Sequence, residues 1–176
     1  MNRFVSGISA AAFVASVSAV WAQETSDNRV AAKTDWSVFV EDEPTECWSV
    51  SSPKETVNTR DGRPVAVNRG DILMFVAFRP GSDVAAELSF TGGYEFREGS
   101  TVTVEISGTS FEMFTDNDWA WPASPSDDAK IITAMKRGAQ AVVTGVSQRS
   151  GTTTRDTFSL LGFTAALEEA ESRCSN

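Results

Sequence analysis

Asp71-Ile72-Leu73-Met74-Phe75-Val76-Ala77-Phe78-Arg79 is the stretch on which the reading of the fold turns. Seven apolar residues held between two charged ones are too short a run for an ordinary helix, and they match a central β-strand buried on both faces. Downstream, 101–106 alternates cleanly, with Val102, Val104 and Ile106 on one side and threonine and glutamate on the other. Strands are also expected at 84–90 and 110–115, with Gly92-Gly93 and Ser107-Gly108-Thr109 as the breakers. Upstream, 36–40 and 47–50 are β-rich and separated by Asp42-Glu43-Pro44-Thr45. Asp61-Gly62-Arg63-Pro64 divides 55–59 from Val65-Ala66-Val67. Residues 140–147 and 153–161, joined by Gln148-Arg149-Ser150-Gly151-Thr152, complete a hairpin. Many short strands at this spacing predict an antiparallel β-sandwich.

Two helices interrupt the pattern. Ser124 caps the first, Pro125 takes its first position, and Asp127 and Asp128 face the positive end of its dipole. Ile131, Ile132 and Met135 form its apolar side, Lys136 and Arg137 suit its negative end, and Gly138 closes it. The second helix spans about 163–173. Its narrow apolar face is Ala166, Leu167 and Ala170, with Glu168, Glu169 and Glu171 toward water.

The chain has 176 residues and opens on Arg3, an interrupted apolar run over 4–20, and Val20-Trp21-Ala22, the three parts of a secretory signal peptide at 1–22. An uncleaved anchor is the alternative, disfavoured by the short, serine-broken run. Cleavage leaves 154 residues, expected as a loose arm at 23–35 and one β-sandwich domain at 36–176. No second long apolar run follows, so no transmembrane segment is expected after cleavage, and the mature protein is expected to be a monomer. It carries 14 basic residues against 24 acidic ones, a formal charge of −10, which opposes binding to nucleic acid or anionic membranes.

The two cysteines of an exported chain, Cys47 and Cys174, are expected to pair and to tie the terminal helix to an early strand. Free thiols and an intermolecular bridge are the alternatives. No cofactor or metal is expected: the chain has no histidine, which removes a Ser-His-Asp triad and a His-containing zinc site. Asp116-Asn117-Asp118 lacks the glycine and distal glutamate of a calcium loop. Ser51-Ser52-Pro53-Lys54 has no companion motif, and Arg69-Gly70-Asp71 reads as a turn leading into a strand. No catalytic residue is assigned. Trp119-Ala120-Trp121-Pro122 has the most unusual local composition, and Trp119 and Trp121 are the ligand-binding candidates. Covering an open end of the core is the favoured role for these indoles.

Trp36-Ser37-Val38-Phe39, Thr45-Glu46-Cys47-Trp48, Met135-Lys136-Arg137-Gly138 and Phe158-Ser159-Leu160-Leu161-Gly162-Phe163-Thr164-Ala165-Ala166-Leu167 together resemble, in order and spacing, the invasion-associated locus B family of α-proteobacterial exported proteins. The resemblance implies an immunoglobulin-like β-sandwich in the periplasm, or secreted and associated with the outer membrane, with no established enzymatic activity. It departs from the family where extra cysteines precede the Lys-x-Gly helix, a region holding Phe114 and Trp119 to Trp121 here. The function expected is a non-enzymatic binding or envelope-associated module, meeting an envelope or host component and linked to host-cell invasion or envelope stress. The alternatives are a carboxylate-based hydrolase of envelope glycans and a purely structural envelope protein.

Overall fold

The computed structural model describes residues 28–43 and 45–175. The signal peptide and the first residues of the arm lie outside them. The strands are β1 (Arg29–Lys33), β2 (Trp36–Asp42), β3 (Thr45–Ser51), β4 (Glu55–Arg60), β5 (Arg63–Pro64), β6 (Leu73–Arg79), β7 (Val84–Thr91), β8 (Thr101–Ile106), β9 (Thr109–Asp116), β10 (Trp119–Trp121), β11 (Gln140–Val146) and β12 (Thr153–Ser159). The helices are α1 (Pro125–Arg137) and α2 (Phe163–Cys174).

All strand pairs are antiparallel and follow the order β1-β2-β3-β6-β7-β10-β9-β8-β11-β12-β4-β5. The protein is thus the expected mainly β, sandwich-like fold with an internal and a C-terminal helix. Short β10 pairs with both β7 and β9 and so joins the two halves into one hydrogen-bonded sheet. The sheet closes over a core in which Met74, Val76, Phe90, Val104, Met113 and Phe158 are buried. The rings of Phe90 and Phe158, from opposite halves, meet edge to face at 6.0 Å.

The strand pattern follows local chemistry. Asp61 and Gly62 take φ of 50° and 75° between β4 and β5, and Ser107 and Gly108 take 50° and 79° between β8 and β9, the left-handed pairs that two-residue hairpins need. Strand β6 alternates despite its uniform composition. Met74, Val76 and Phe78 point to the core, while Leu73 and Phe75 stay half-buried on the outer face.

One expectation is corrected. The loose arm proposed for 23–35 is, from Arg29 to Lys33, a strand that pairs with β2. Its half-buried Ala31 packs on the core, and Lys33 pairs with Glu169 of α2 at 3.1 Å. Residues 65–72 form no ladder, and only Arg63–Pro64 pair with β4. Trp119-Ala120-Trp121 forms a short strand.

Helix α1 begins as expected, with Ser124 Oγ accepting from the Asp127 backbone N–H at 3.3 Å. Gly138 ends it with ordinary negative φ. The glycine is needed for space, since a Cβ there would lie 2.6 Å from Ile106 Cγ2. Helix α2 buries Phe163, Ala166, Leu167 and Ala170 against β1, β2, β3 and β6. Gly162, at φ 88°, lets its first turn press on the Lys33 carbonyl. Cys47 and Cys174 are bonded with Cα atoms 5.8 Å apart, so α2 is fastened to β3.

Candidate functional site

The outer face of the sheet carries an aromatic row that follows from register. In β10, Ala120 enters the core while Trp119 and Trp121 turn outward and stay half-buried. The favoured expectation that these indoles close the core is therefore corrected: strand alternation gives that role to Ala120. Trp121 lies opposite Phe114 of β9, and their near-parallel rings are 5.6 Å apart. Trp119 and Trp121 are 6.2 Å apart with an interplanar angle of 22°.

Phe75 of β6 reaches Trp119 at 5.7 Å, although β7 runs between their strands. The contact exists because β7 turns only small side chains outward there, Ser89 opposite Phe75 and Thr91 opposite Trp119. Both are covered, at 8% and 7% exposure. Beyond Phe75 the row continues through Val50 to Trp48, which stacks on Phe39 at 5.8 Å. Phe114, at the other end, is 48% exposed. Strand β3 shows an inverted pattern behind this row. Its inward positions are Cys47, Ser49 and Ser51, and its outward ones are Glu46, Trp48 and Val50.

A cavity of about 760 Å³ opens beside Trp119 and Phe75 and includes Asp71, Glu95, Asn117 and Asp118 in its lining. All four of those polar residues are exposed. Asp116-Asn117-Asp118, the rejected calcium motif, is thus the β9–β10 turn, with Asn117 at φ 53°. Among the described residues no group of three or more His, Cys, Asp or Glu is placed to hold a metal ion.

A second cavity, of about 530 Å³, shares Gly93, Tyr94 and Glu95 with the first. Arg69 forms its floor. The guanidinium gives Asp156 two bonds, of 2.7 and 2.6 Å, and donates to Gly92 O at 2.8 Å and to Asn58 Oδ1 at 3.3 Å. The two side chains are 7% and 0% exposed. Arg69-Gly70-Asp71 is therefore no adhesive tip, because its arginine is sequestered. The motif instead clamps 65–72 to the sheet, helped by Gly70 N–H donating to Gly93 O at 2.9 Å. The Arg69 guanidinium lies 5.1 Å from the Tyr94 ring centroid, and the Tyr94 hydroxyl meets Thr154 Oγ1 at 2.6 Å. Burial pushes the Tyr94 phenol up to about 12.

The remaining motif residues are structural. Ser51 donates to Asp35 O at 2.7 Å, and Lys54 pairs with the Asp35 carboxylate at 2.6 Å. Lys54 first, then Ser159, lower the pKa of Asp35. Burial raises the Asp128 carboxyl, whose Oδ1 accepts the Leu88 N–H at 2.8 Å and pins α1 to β7.

Sequence reading found Trp119 and Trp121 but missed Phe39, Trp48 and Phe75 as their companions. The available signal was the placement of aromatics on the face of β2 and β3 opposite to Trp36, Val38 and Cys47. Asp156 was invisible as a partner because it is 87 positions from Arg69.

Comparison with known proteins agrees with this architecture. The family model for the invasion associated locus B protein matches residues 36–171. The crystal structure of invasion associated protein B from Bartonella henselae superposes with a TM-score of 0.55 at 12% identity, covering 83% of this chain and 98% of that one, which shows a shared fold. No curated protein matches. The chain belongs to the invasion-associated locus B family.

Proposed function

We propose that this protein is an exported, non-enzymatic binding module of the periplasm or outer envelope whose outer sheet face docks an extended glycan. The observation that carries the reading is the row Phe75, Trp119, Trp121 and Phe114, kept outward by register and continuous across the small residues of β7. Aromatic faces offer large contact area at small entropic cost. The exposed acids and amide beside Trp119 supply acceptors and donors for hydroxyl groups. That mixture suits a polyhydroxylated ligand better than the apolar centre of a protein interface, which is depleted of charge. Export is supported by family membership and by the disulfide.

The test is titration of the mature, disulfide-bonded chain with soluble neutral oligosaccharides such as chitotetraose and cellotetraose. Trp119→Ala and Trp121→Ala are each expected to weaken binding about thirtyfold, the scale of an aromatic anchor. Binding of envelope peptides in place of sugars, or self-association through this face, refutes the glycan reading.

A second reading, hydrolysis of the bound glycan, is favoured by Asp71, Glu95 and Asp118 around one cavity. Against it, all three are exposed, whereas the general acid of this chemistry sits in an apolar pocket. The carboxyl that burial raises, Asp128, is bonded to Leu88 N–H and does not line the cavity. Turnover of oligosaccharide that is abolished by Asp118→Asn or Glu95→Gln decides for hydrolysis.

A further inference from the structure

The 530 Å³ cavity has a charge balance opposite to that of the chain. The whole protein is formally −9, yet Arg60, Arg69 and Arg149 line this one concavity, with Glu95 as the carboxylate among its lining residues. Arg69 is spent: its charge is matched by Asp156 beneath it, and its N–H groups are taken by Asp156, Gly92 and Asn58. Arg60 and Arg149 are different. Among the described residues, no carboxylate lies within ion-pairing distance of either.

Arg60 is nevertheless held in place. Its Nη2 donates to Thr152 Oγ1 at 2.9 Å, which also accepts the Ser150 hydroxyl at 2.9 Å. Thr152 is 2% exposed, so a long exposed side chain is anchored at its tip by a buried hydroxyl. The turn carrying Arg149 and Ser150 is fixed from both sides, by Ser147 N–H donating to Thr152 O and by Gly151 N–H donating to Ser147 O. A fixed guanidinium loses less entropy when it meets an anion, and a planar fork matches the two oxygens of a carboxylate or phosphate. The Ser147 hydroxyl lines the same wall, whereas the Ser150 hydroxyl is given to Thr152 Oγ1 and holds the anchor of Arg60 in place.

We infer that the cavity lined by Arg60, Arg149, Ser150 and Thr152 is a binding site for an oxyanion, a phosphate or carboxylate group borne by an envelope ligand. In an acidic chain this places local attraction at one point and leaves the remaining surface repulsive to anions. The inference stands independently of the glycan reading. The shared wall of Gly93, Tyr94 and Glu95 lets one ligand occupy both cavities, but anion binding does not require the aromatic row.

The test is isothermal titration of the mature, disulfide-bonded chain with inorganic phosphate, with glucuronate and with the uncharged methyl ester of glucuronate. The expected result is saturable binding of phosphate or glucuronate, no binding of the ester, and affinity that falls as salt rises. Whichever anion binds more tightly tells phosphorylated from uronic ligands. The variant Arg60→Gln/Arg149→Gln, which changes two exposed residues, should fold normally by near-ultraviolet circular dichroism and bind about tenfold or more weakly. Trp119→Ala/Trp121→Ala should leave anion binding unchanged, and an unsubstituted chain that binds the anion but no neutral oligosaccharide condemns the aromatic reading and not this one. Equal affinity for acid and ester, no binding of either anion, or unchanged affinity in the arginine variant overturns the inference.

Discussion

Removing the Arg69 side chain tests the most buried ion pair among the described residues. Asp156 is 0% exposed, and both of its oxygens accept from the same guanidinium, at 2.7 and 2.6 Å. Arg69→Met keeps length and apolar bulk but leaves a carboxylate buried without its cation. Breaking a buried pair from one side costs about 3–5 kcal/mol, a large share of the ~5–15 kcal/mol that holds an ordinary domain together. For a domain of this size that corresponds to a fall in Tm on the order of 10 °C. Replacing both partners, Arg69→Met/Asp156→Leu, removes the stranded charge and should recover most of the loss. The assay is urea unfolding of the two single variants and the double, with slopes compared to check that the transition stays two-state. A loss below about 1 kcal/mol in Arg69→Met, or a double variant that loses the sum of the singles, refutes the claim that this pair is buried and mutually dependent.

The disulfide closes a loop of 127 positions, for which chain entropy assigns just under ~5 kcal/mol. Reduction, or Cys47→Ala/Cys174→Ala, should lower the urea midpoint and loosen α2 first, seen as faster hydrogen exchange over 163–174 than in β8 and β11. Tyr94 is the chain's sole tyrosine, so its phenolate absorbance reports one site without deconvolution. It should titrate near pH 12 in the folded protein against about 10 when unfolded. Because the folded state holds the proton more tightly, this contribution is complete below about pH 10 and is lost as pH rises toward 12, amounting to at most about 2–3 kcal/mol. An ordinary phenolate titration near 10 with the fold intact contradicts the buried placement of Tyr94.

The sequence made legible whatever depends on neighbours along the chain. The 101–106 alternation, the Asp61-Gly62 turn and the Ser124 cap each express short-range stereochemistry, and each is where it was expected. Strand β10 was not legible, because three residues carry too little periodicity and Trp-Ala-Trp suits a loop as well as a strand. Its assignment is made by β7 and β9, which pair with it from both sides. Strand β1 was hidden by the polar composition of 23–35, and the β2 ladder and α2 hold it in place. The candidate site was half legible for the same reason. Trp119 and Trp121 stood out by composition, whereas Phe75 joins them only because Ser89 and Thr91 leave room across β7. The arginine cavity needed the β4–β12 pairing, which brings Arg60 within reach of Thr152.

If the outward indoles receive the ligand, their own N–H signals change on binding. Among the described residues the indoles belong to Trp36, Trp48, Trp119 and Trp121. Trp36 is 1% exposed and donates its Nε1–H to Ser159 O at 2.9 Å, so it serves as an internal control. Titrating ¹⁵N-labelled protein with chitotetraose, cellotetraose and a uronic-acid oligomer should move the Trp119 and Trp121 indole resonances saturably with at least one sugar, while Trp36 stays fixed. Indole resonances of Trp119 and Trp121 that remain in place through every titration, or that move only together with Trp36, contradict ligand binding at the outer aromatic face.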